Sequence, residues 1–473
     1  MTTLLLPSAT DVASASRFAV INPADGSVIT EIADAGVDDA DRAVALAQVA
    51  AADWAARSSR ERSGILLRAF DRMIERQDEL AALISTENGK ARADALAEVA
   101  YAAEYFRWYA EEAVRVRGEQ FDNPAGTSKV LVSHEPVGIC VLVTPWNFPA
   151  AMATRKIGPA LAVGCTAILK PAAETPLTAL AIADILTEAG LPEGVLTVLP
   201  TTSAGTVVDR LLAHDDVRLI SFTGSTEVGR HLLERAAQRV LRTAMELGGN
   251  APFLVLEDAD LDAAVEGAML AKMRNGGQAC TAANRLFVHE RLHDRFAEAL
   301  ASRMGALSMG DAADPAIEVG PLVNAKSRVK VQELVDDAIA RGARVLVGGA
   351  VPKGPGYFYP PTVLVDVPAD ARILHEEVFG PVAPIVRFSD EDAAIATAND
   401  TIHGLVAYLY TEDLRRGLAV SARLQAGMVA LNRGLVSDPA APFGGVKQSG
   451  LGREGSTEGL HEYLETKYVA TNW

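Results

Sequence analysis

The stretch 139-ICVLVTPWNFPAAMATRKIGPALAVGCTAILK-170 decides what kind of fold this chain adopts. Its first five residues, Ile139 to Val143, are apolar without alternation, as in a strand buried on both faces. A loop fixed by Pro145 and Pro149 follows, then helical spacing from Met152, then a second buried run from Thr166 to Leu169. Strand, helix and strand in succession make a parallel crossover unit. The rhythm continues through strands at Val195 to Leu199, Leu219 to Phe222 and Thr243 to Glu246, with helical runs from Leu177, Ala204 and Glu227. These predict a doubly wound parallel α/β sheet of the nucleotide-binding type.

A second alternating block follows. Strands are expected at Phe253 to Leu256, Arg285 to Val288, Ala343 to Val347, Thr362 to Leu364, Val382 to Val386, Ala407 to Tyr410 and Met428 to Leu431. Helices near Leu261, Leu292, Ser327, Glu391 and Leu414 separate them, giving a second α/β domain. On the N-terminal side, Phe18 to Ala33 alternates about Asp25-Gly26 as a hairpin does. Val37 to Gly118 reads as three amphipathic helices, the second stopped at Asn88-Gly89. Tyr105, Phe106, Trp108 and Tyr109 in the third are expected to pack in a core or interface. Val130 to His134 starts a two-stranded arm, with which the closing segment, Leu460 to Val469, can pair.

With 473 residues the chain is too long for one core, and 49% hydrophobic with 22% charged residues is a globular composition. A net charge of -17 opposes nucleic acid and anionic membrane as partners. Three cysteines, Cys140, Cys165 and Cys280, suit neither a disulfide framework nor a metal site, so a reducing cytoplasm and no metal are expected. The N-terminus has no basic region or long apolar run, so neither signal peptide nor membrane anchor is expected.

Chemistry is concentrated in a few stretches. In KMRNGGQACTAANR, 272 to 285, a helix ends at Asn275-Gly276-Gly277 and Cys280 follows, between Arg274 and Arg285. A thiol so placed is expected to be exposed and drawn towards thiolate; the plain alternative is a small buried hydrophobe. Asn147 lies between two prolines at the carboxyl end of a parallel strand, where an amide can donate to a developing oxyanion, or simply serve a turn. Glu246, before Gly248-Gly249, can act as a general base or as a strand cap. Phe222 to Gly229, FTGSTEVG, puts a glycine turn before a helix, where backbone amides can approach phosphate, although the spacing is not G-x-G-x-x-G. Lys170 offers a cation at the same sheet edge.

PWNFP at 145 to 149, KPAAETPLTA at 170 to 179, FTGSTEVG, ELGGN at 246 to 250, GQAC at 277 to 280, EEVFGP at 376 to 381 and PFGGVKQSGLGREG at 442 to 455 together resemble the aldehyde dehydrogenase superfamily, in order and over nearly the full length. The resemblance implies two doubly wound α/β domains plus a β oligomerisation arm: an NAD(P)-binding domain over 1–122 and 144–247, a catalytic domain over 248–440, and the arm and C-terminal segment over 123–143 and 441–473. It implies Cys280 as nucleophile, Asn147 and the Cys280 amide as oxyanion donors, and Glu246 as the base that activates the hydrolytic water. For the cofactor it implies Lys170 at the adenosine ribose, Glu377 at the nicotinamide ribose, Phe379 beside the nicotinamide, and Gly224, Ser225 and Gly229 in the pyrophosphate turn. Trp146 and Leu247 also belong to that set.

The runs MATRK, KMRN and GLVSDPAAPFGG, with the ending GREGSTEGLHEYLETKY, are similar to the succinate-semialdehyde dehydrogenase subgroup. There the equivalents of Arg155, Arg274 and Ser437 grip a substrate carboxylate, so a small anionic aldehyde is the expected substrate, glutarate semialdehyde being the near alternative. An uncharged-aldehyde dehydrogenase, with both arginines turned away, and a non-catalytic protein on the same fold are the competing readings. Ala173 stands where many NAD-preferring relatives have glutamate, and Glu174 comes one residue late, so NADP or NAD is expected with NADP slightly favoured. Ala282 removes the second cysteine that some relatives use as a redox switch. A homodimer or homotetramer is expected.

Overall fold

The computed structural model describes residues 12–472. The first eleven residues, on which most of the leader reading rests, lie outside that range. A hairpin of β1 (Arg17–Ile21) and β2 (Val28–Ala33) leads into α1 (Val37–Ala56), α2 (Ser59–Glu75), α3 (Gln77–Asn88) and α4 (Arg92–Ala113). Four helices stand where three were expected. The extra break is at Arg76, which leaves helical geometry without a glycine or proline and is held by Glu79 and Glu188. Gly89 closes α3 in the left-handed conformation, as its position after Asn88 requires.

Next come β3 (Glu119–Asp122), β4 (Lys129–Pro136), β5 (Ile139–Val143), α5 (Pro149–Val163), β6 (Thr166–Lys170), α6 (Pro176–Glu188), β7 (Leu196–Val198), α7 (Ala204–Leu212), β8 (Val217–Thr223), α8 (Thr226–Ala237) and β9 (Arg242–Glu246). The second half contains β10 (Ala251–Val255), α9 (Leu261–Met273), β11 (Ala283–His289), α10 (Glu290–Gly305), α11 (Ala325–Ala340), β12 (Arg344–Val347), β13 (Thr362–Val365), β14 (Val382–Phe388), α12 (Glu391–Asn399), β15 (Val406–Tyr410), α13 (Leu414–Ser421) and β16 (Met428–Leu431). The chain closes with β17 (Gly450–Leu451), α14 (Ser456–His461) and β18 (Leu464–Thr471).

The first sheet runs β17-β9-β8-β5-β6-β7, with β5 to β9 parallel and β17 antiparallel at the edge. The order reverses at β5, so the loops after β5 and β8 open a crevice at their carboxyl ends. Alternate residues of β5 go to opposite cores. Cys140 and Leu142 join the helices α2, α4 and α5, while Ile139, Val141 and Val143 pack on the other side with α1 and α7. Full burial of each Leu or Val side chain contributes roughly 1.5–3 kcal/mol, which holds the sheet between both helical layers.

The second sheet, β12-β13-β14-β11-β10-β15-β16, contains all seven expected strands. A third sheet, β18-β4-β3, is the arm. Tyr468 lies opposite Val132 on one edge of β4, and β3 adds a third strand to the two expected. The arm ends at Pro136. Ile139–Val143 lies inside the first sheet, so the boundary expected at residue 143 is several residues late; β17 likewise joins the first sheet rather than the arm.

Among the described residues no helix is long and apolar enough to cross a membrane. Nor, among them, does any group of three or more His, Cys, Asp or Glu have metal-holding geometry.

Candidate active site

Cys280 is positioned by a bend with unusual backbone. Asn275, Gly276 and Gly277 all have positive φ (52°, 59° and 76°), which turns the chain out of α9 and into β11. A Cβ on Gly277 would lie 2.2 Å from the Gly380 carbonyl oxygen, so the bend also needs glycine for space. Gly249 meets the other side of the nucleophile loop: a Cβ there would lie 2.3 Å from the Cys280 carbonyl oxygen. The ELGGN glycines thus let the end of the first domain pass directly beside Cys280.

Cys280 lines two spaces. The first is a cleft of about 700 Å3 between the sheets, whose walls include Trp146, Asn147, Gly224, Ser225, Leu247, Glu377 and Phe379. Trp146 and Phe379 meet edge to face with ring centroids 5.3 Å apart, and Phe379 is held at φ 54°, which is rare for a bulky residue. The second is a small pocket behind the thiol, formed by Tyr101, Phe148, Met152, Arg155, Arg274, Ala279, Thr281, Ser437 and Phe443.

The thiol is half-buried, and burial pushes its pKa up to about 12, with Arg155 acting in the opposite direction and Glu377 and Glu246 adding to the rise. The expected thiolate is therefore not the resting form. Arg285, expected to help acidify it, turns to the backbone and donates to the carbonyls of Asn250, Thr397 and Ala398. Asn147 is buried, its Nδ2 donating to the Gln278 carbonyl at 3.2 Å. An amide nitrogen carries two hydrogens, so one remains to donate beside Cys280. The buried Glu246 carboxyl is pushed well above the usual range by burial and by the nearby Glu454. Its Oε2 finds no partner among the described residues.

On the substrate side, Arg155 is fully buried on α5, a helix buried at every position. It pairs with Glu454, and its Cζ lies 4.5 Å from the Phe443 ring centroid, while its Nη2 has no hydrogen-bond partner among the described residues. Arg274 stacks over Phe148 at 4.6 Å and donates to Ser437 Oγ at 3.3 Å. All three expected substrate residues thus converge on one pocket.

The cleft suits a dinucleotide. Its walls include Ser225, which caps α8, and Thr223, whose buried Oγ1 finds no partner among the described residues. A side chain on Gly224 would strike the Phe222 ring at 2.4 Å. Glu377 accepts from the Gly249 amide at 3.1 Å, and burial raises its carboxyl to about 7. Lys170 is buried at the strand end, which lowers its ammonium to about 8 against the attraction of Glu174.

Three expected contacts differ, the first being Lys170, which is buried at the end of β6 and does not wall the cleft. Gly229 is inside α8, where a Cβ would lie 2.4 Å from Leu247 Cδ2, so it serves helix packing and does not wall the cleft. Ala173 is also absent from the cleft wall, while Glu174 is part of it and accepts from Asn324 Nδ2 at 3.3 Å.

Sequence reasoning missed the buried ions behind these groups. Glu454 contacts both Arg155 and Lys156, and Lys156 Nζ donates to Ser221 Oγ at 2.8 Å. The signals were a carboxylate among glycines in GREG and two adjacent cations on an otherwise apolar helix.

Two open α/β sheets meeting at a cysteine, with a dinucleotide-sized cleft on one side and an arginine-lined pocket on the other, define an NAD(P)-dependent dehydrogenase that oxidises aldehydes. The chain belongs to the aldehyde dehydrogenase family, whose model matches residues 10–469. It is 53% identical to succinate-semialdehyde dehydrogenase of Paenarthrobacter nicotinovorans over 93% of this chain and 98% of that protein. Glutarate-semialdehyde dehydrogenase of Pseudomonas putida is 48% identical, over 97% of this chain and 95% of that one. A crystal structure of an Escherichia coli NADP-dependent enzyme superposes with a TM-score of 0.97 at 46% identity, covering 100% of this chain and 99% of that one.

Proposed function

We propose that this protein oxidises succinate semialdehyde to succinate with NADP or NAD, through a thiohemiacetal and then a thioester on Cys280. The observation that carries the substrate is the pairing of Arg274 with Ser437 beside the unpartnered Nη2 of Arg155, in the pocket that Cys280 also lines. A carboxylate at the far end of a short aldehyde supplies the missing acceptors, and charge-assisted bonds to guanidinium are about twice as strong as neutral ones. Tyr101, Phe148 and Phe443 would flank its methylenes.

Cys280 must first lose its proton. Arg155 and Arg274 favour the thiolate, and the proton passes to solvent water through the cleft that Cys280 lines. The thiolate adds to the aldehyde carbon, and Asn147 Nδ2 with the Cys280 amide holds the oxyanion formed there. Trp146, Gly224, Ser225, Leu247, Glu377 and Phe379 would hold a nicotinamide cofactor in the cleft, where it would supply the acceptor for the hydride lost from this carbon. Glu246, as the carboxylate, takes a proton from the water that attacks the thioester; burial and Glu454 oppose that charge, so the group must gain solvation before it acts. Succinate leaves and the thiol is restored.

Glutarate semialdehyde, one methylene longer, is the second substrate, because one methylene changes binding by only about 1–3 kcal/mol. The arm, with Phe121, Tyr468 and Val469 exposed, is proposed to join copies of the chain as a homodimer or homotetramer. Three free cysteines suit work in a reducing cytoplasm. The test is a kcat/KM panel of succinate semialdehyde, glutarate semialdehyde and uncharged aldehydes of equal length with each cofactor. Equal or better turnover of the uncharged set overturns the assignment.

A further inference from the structure

The Asn147 loop is held from behind by charges that line neither the cleft nor the small pocket. Lys90, between α3 and α4, is 2% exposed, and Glu98 on α4 is 1% exposed. Their side chains form an ion pair. Lys90 Nζ donates to the Asn147 carbonyl at 2.8 Å and sits 3.8 Å from the centroid of the Phe148 ring. The other oxygen of Glu98, Oε1, accepts from the amides of Ala150 at 2.9 Å and Ala151 at 3.3 Å, in the first turn of α5. One carboxylate therefore caps the helix that begins just after Asn147, while its partner cation fixes the Asn147 peptide itself. Desolvating two charges costs several kcal/mol per ion, so a pair of this kind is weak evidence for stability alone.

The same carbonyl is also gripped from the nucleophile side. Asn275 Nδ2 donates to Asn147 O at 2.9 Å and to Gln278 O at 3.2 Å, and the Asn275 amide donates to Asp94 Oδ2 at 2.7 Å. Asp94 is in the first turn of α4, on which Glu98 also lies. The start of α4 thus holds both the Asn147 loop and the left-handed turn five residues before Cys280.

We propose that the buried Lys90–Glu98 pair is a positioning device for the oxyanion donor, fixing the Asn147 carbonyl and the start of α5 so that the Asn147 amide faces the carbon attacked by Cys280. The inference rests on the reading of Asn147 as that donor. Lys90 and Glu98 touch no reacting atom; they act through the Asn147 peptide, the Phe148 ring and the first turn of α5. A fixed carbonyl leaves the peptide little freedom, and a displacement of about 1 Å at such a donor can cost up to a hundredfold in rate.

The test uses Lys90→Met together with Glu98→Gln, which removes both charges at once and leaves a side-chain oxygen to accept from Ala150. The double variant is measured in the native background and in Asn147→Ala, with thermal melts of all four proteins. The expected result is a loss of about tenfold or more in kcat in the native background, unchanged KM and dissociation constant for the cofactor, and less than a twofold further loss in Asn147→Ala. An equal loss in both backgrounds, or a loss that tracks the melting temperature, overturns the positioning role. If Asn147→Ala alone loses little kcat, the donor assignment itself fails, a result distinct from the other two. Should the double variant not fold, Glu98→Gln alone, which keeps the Ala150 acceptor and weakens the hold on Lys90, carries the same comparison.

Discussion

Arg274 Nη1 lies 3.3 Å from Ser437 Oγ, a contact between residues 163 positions apart that closes the small pocket behind Cys280. The hydroxyl fixes a guanidinium that also rests on the Phe148 ring, so its remaining donors point in a defined direction. Replacement of Arg274 by Ala removes charge-assisted bonds of about 1.5–3 kcal/mol. The kcat/KM for succinate semialdehyde is expected to fall by roughly ten- to hundredfold, mainly through KM, with less than a threefold change for an uncharged aldehyde of the same length. A uniform loss across both substrates would contradict the carboxylate clamp.

The resting thiol has a direct pH signature. With the Cys280 pKa pushed up to about 12 by burial, above the ordinary value of about 8.5, the thiol stays neutral throughout the physiological range. Alkylation of the cofactor-free protein by iodoacetamide is therefore expected to be slow at pH 7 and to rise about tenfold per pH unit up to pH 10. A plateau near pH 8 would show that the thiolate already forms there.

The response to cofactor tests the roles proposed for Lys170 and Glu174. Burial lowers the Lys170 ammonium to about 8, so in the free protein its charge is present below that pH and lost above it. Affinity for NADP, followed by fluorescence titration, is expected to weaken between about pH 7 and 9 (about one unit either side of the midpoint). Glu174→Gln removes a carboxylate from the cleft wall, and the ratio of NADP to NAD affinity should rise about five- to tenfold. An unchanged ratio would mean that Asn324 already keeps this carboxylate away from the bound adenosine.

Gly249→Ala tests the domain junction. The added methyl would lie 2.3 Å from the Cys280 carbonyl oxygen, closer than Cβ atoms approach backbone. The nucleophile loop must shift, and a kcat loss of roughly ten- to hundredfold is expected, with cofactor affinity changed much less. Native kcat in this variant would show that the junction can yield without moving Cys280.

The sequence by itself determined the two α/β sheets, because short apolar runs without alternation, bounded by turn residues and separated by helical spacing, fit strands covered on both faces, and every strand expected from Ile139 to Leu431 lies in one of them. It also determined Cys280, Asn147 and Glu246 as candidates, since a thiol, an amide and a carboxylate stand beside glycines and prolines that break otherwise regular elements. Local pattern could not place the end of the arm at Pro136, the break at Arg76 or the third arm strand, because strand partners and helix breaks without glycine or proline are set by distant contacts. Tertiary structure alone decided the electrostatics. Burial made the thiol neutral where flanking arginines suggested a thiolate, and it took Arg285 away to backbone carbonyls. It brought Glu454 across 299 residues of chain to Arg155, and Lys90 and Glu98 to the back of the Asn147 loop, because a buried charge must find its partner wherever the fold supplies one.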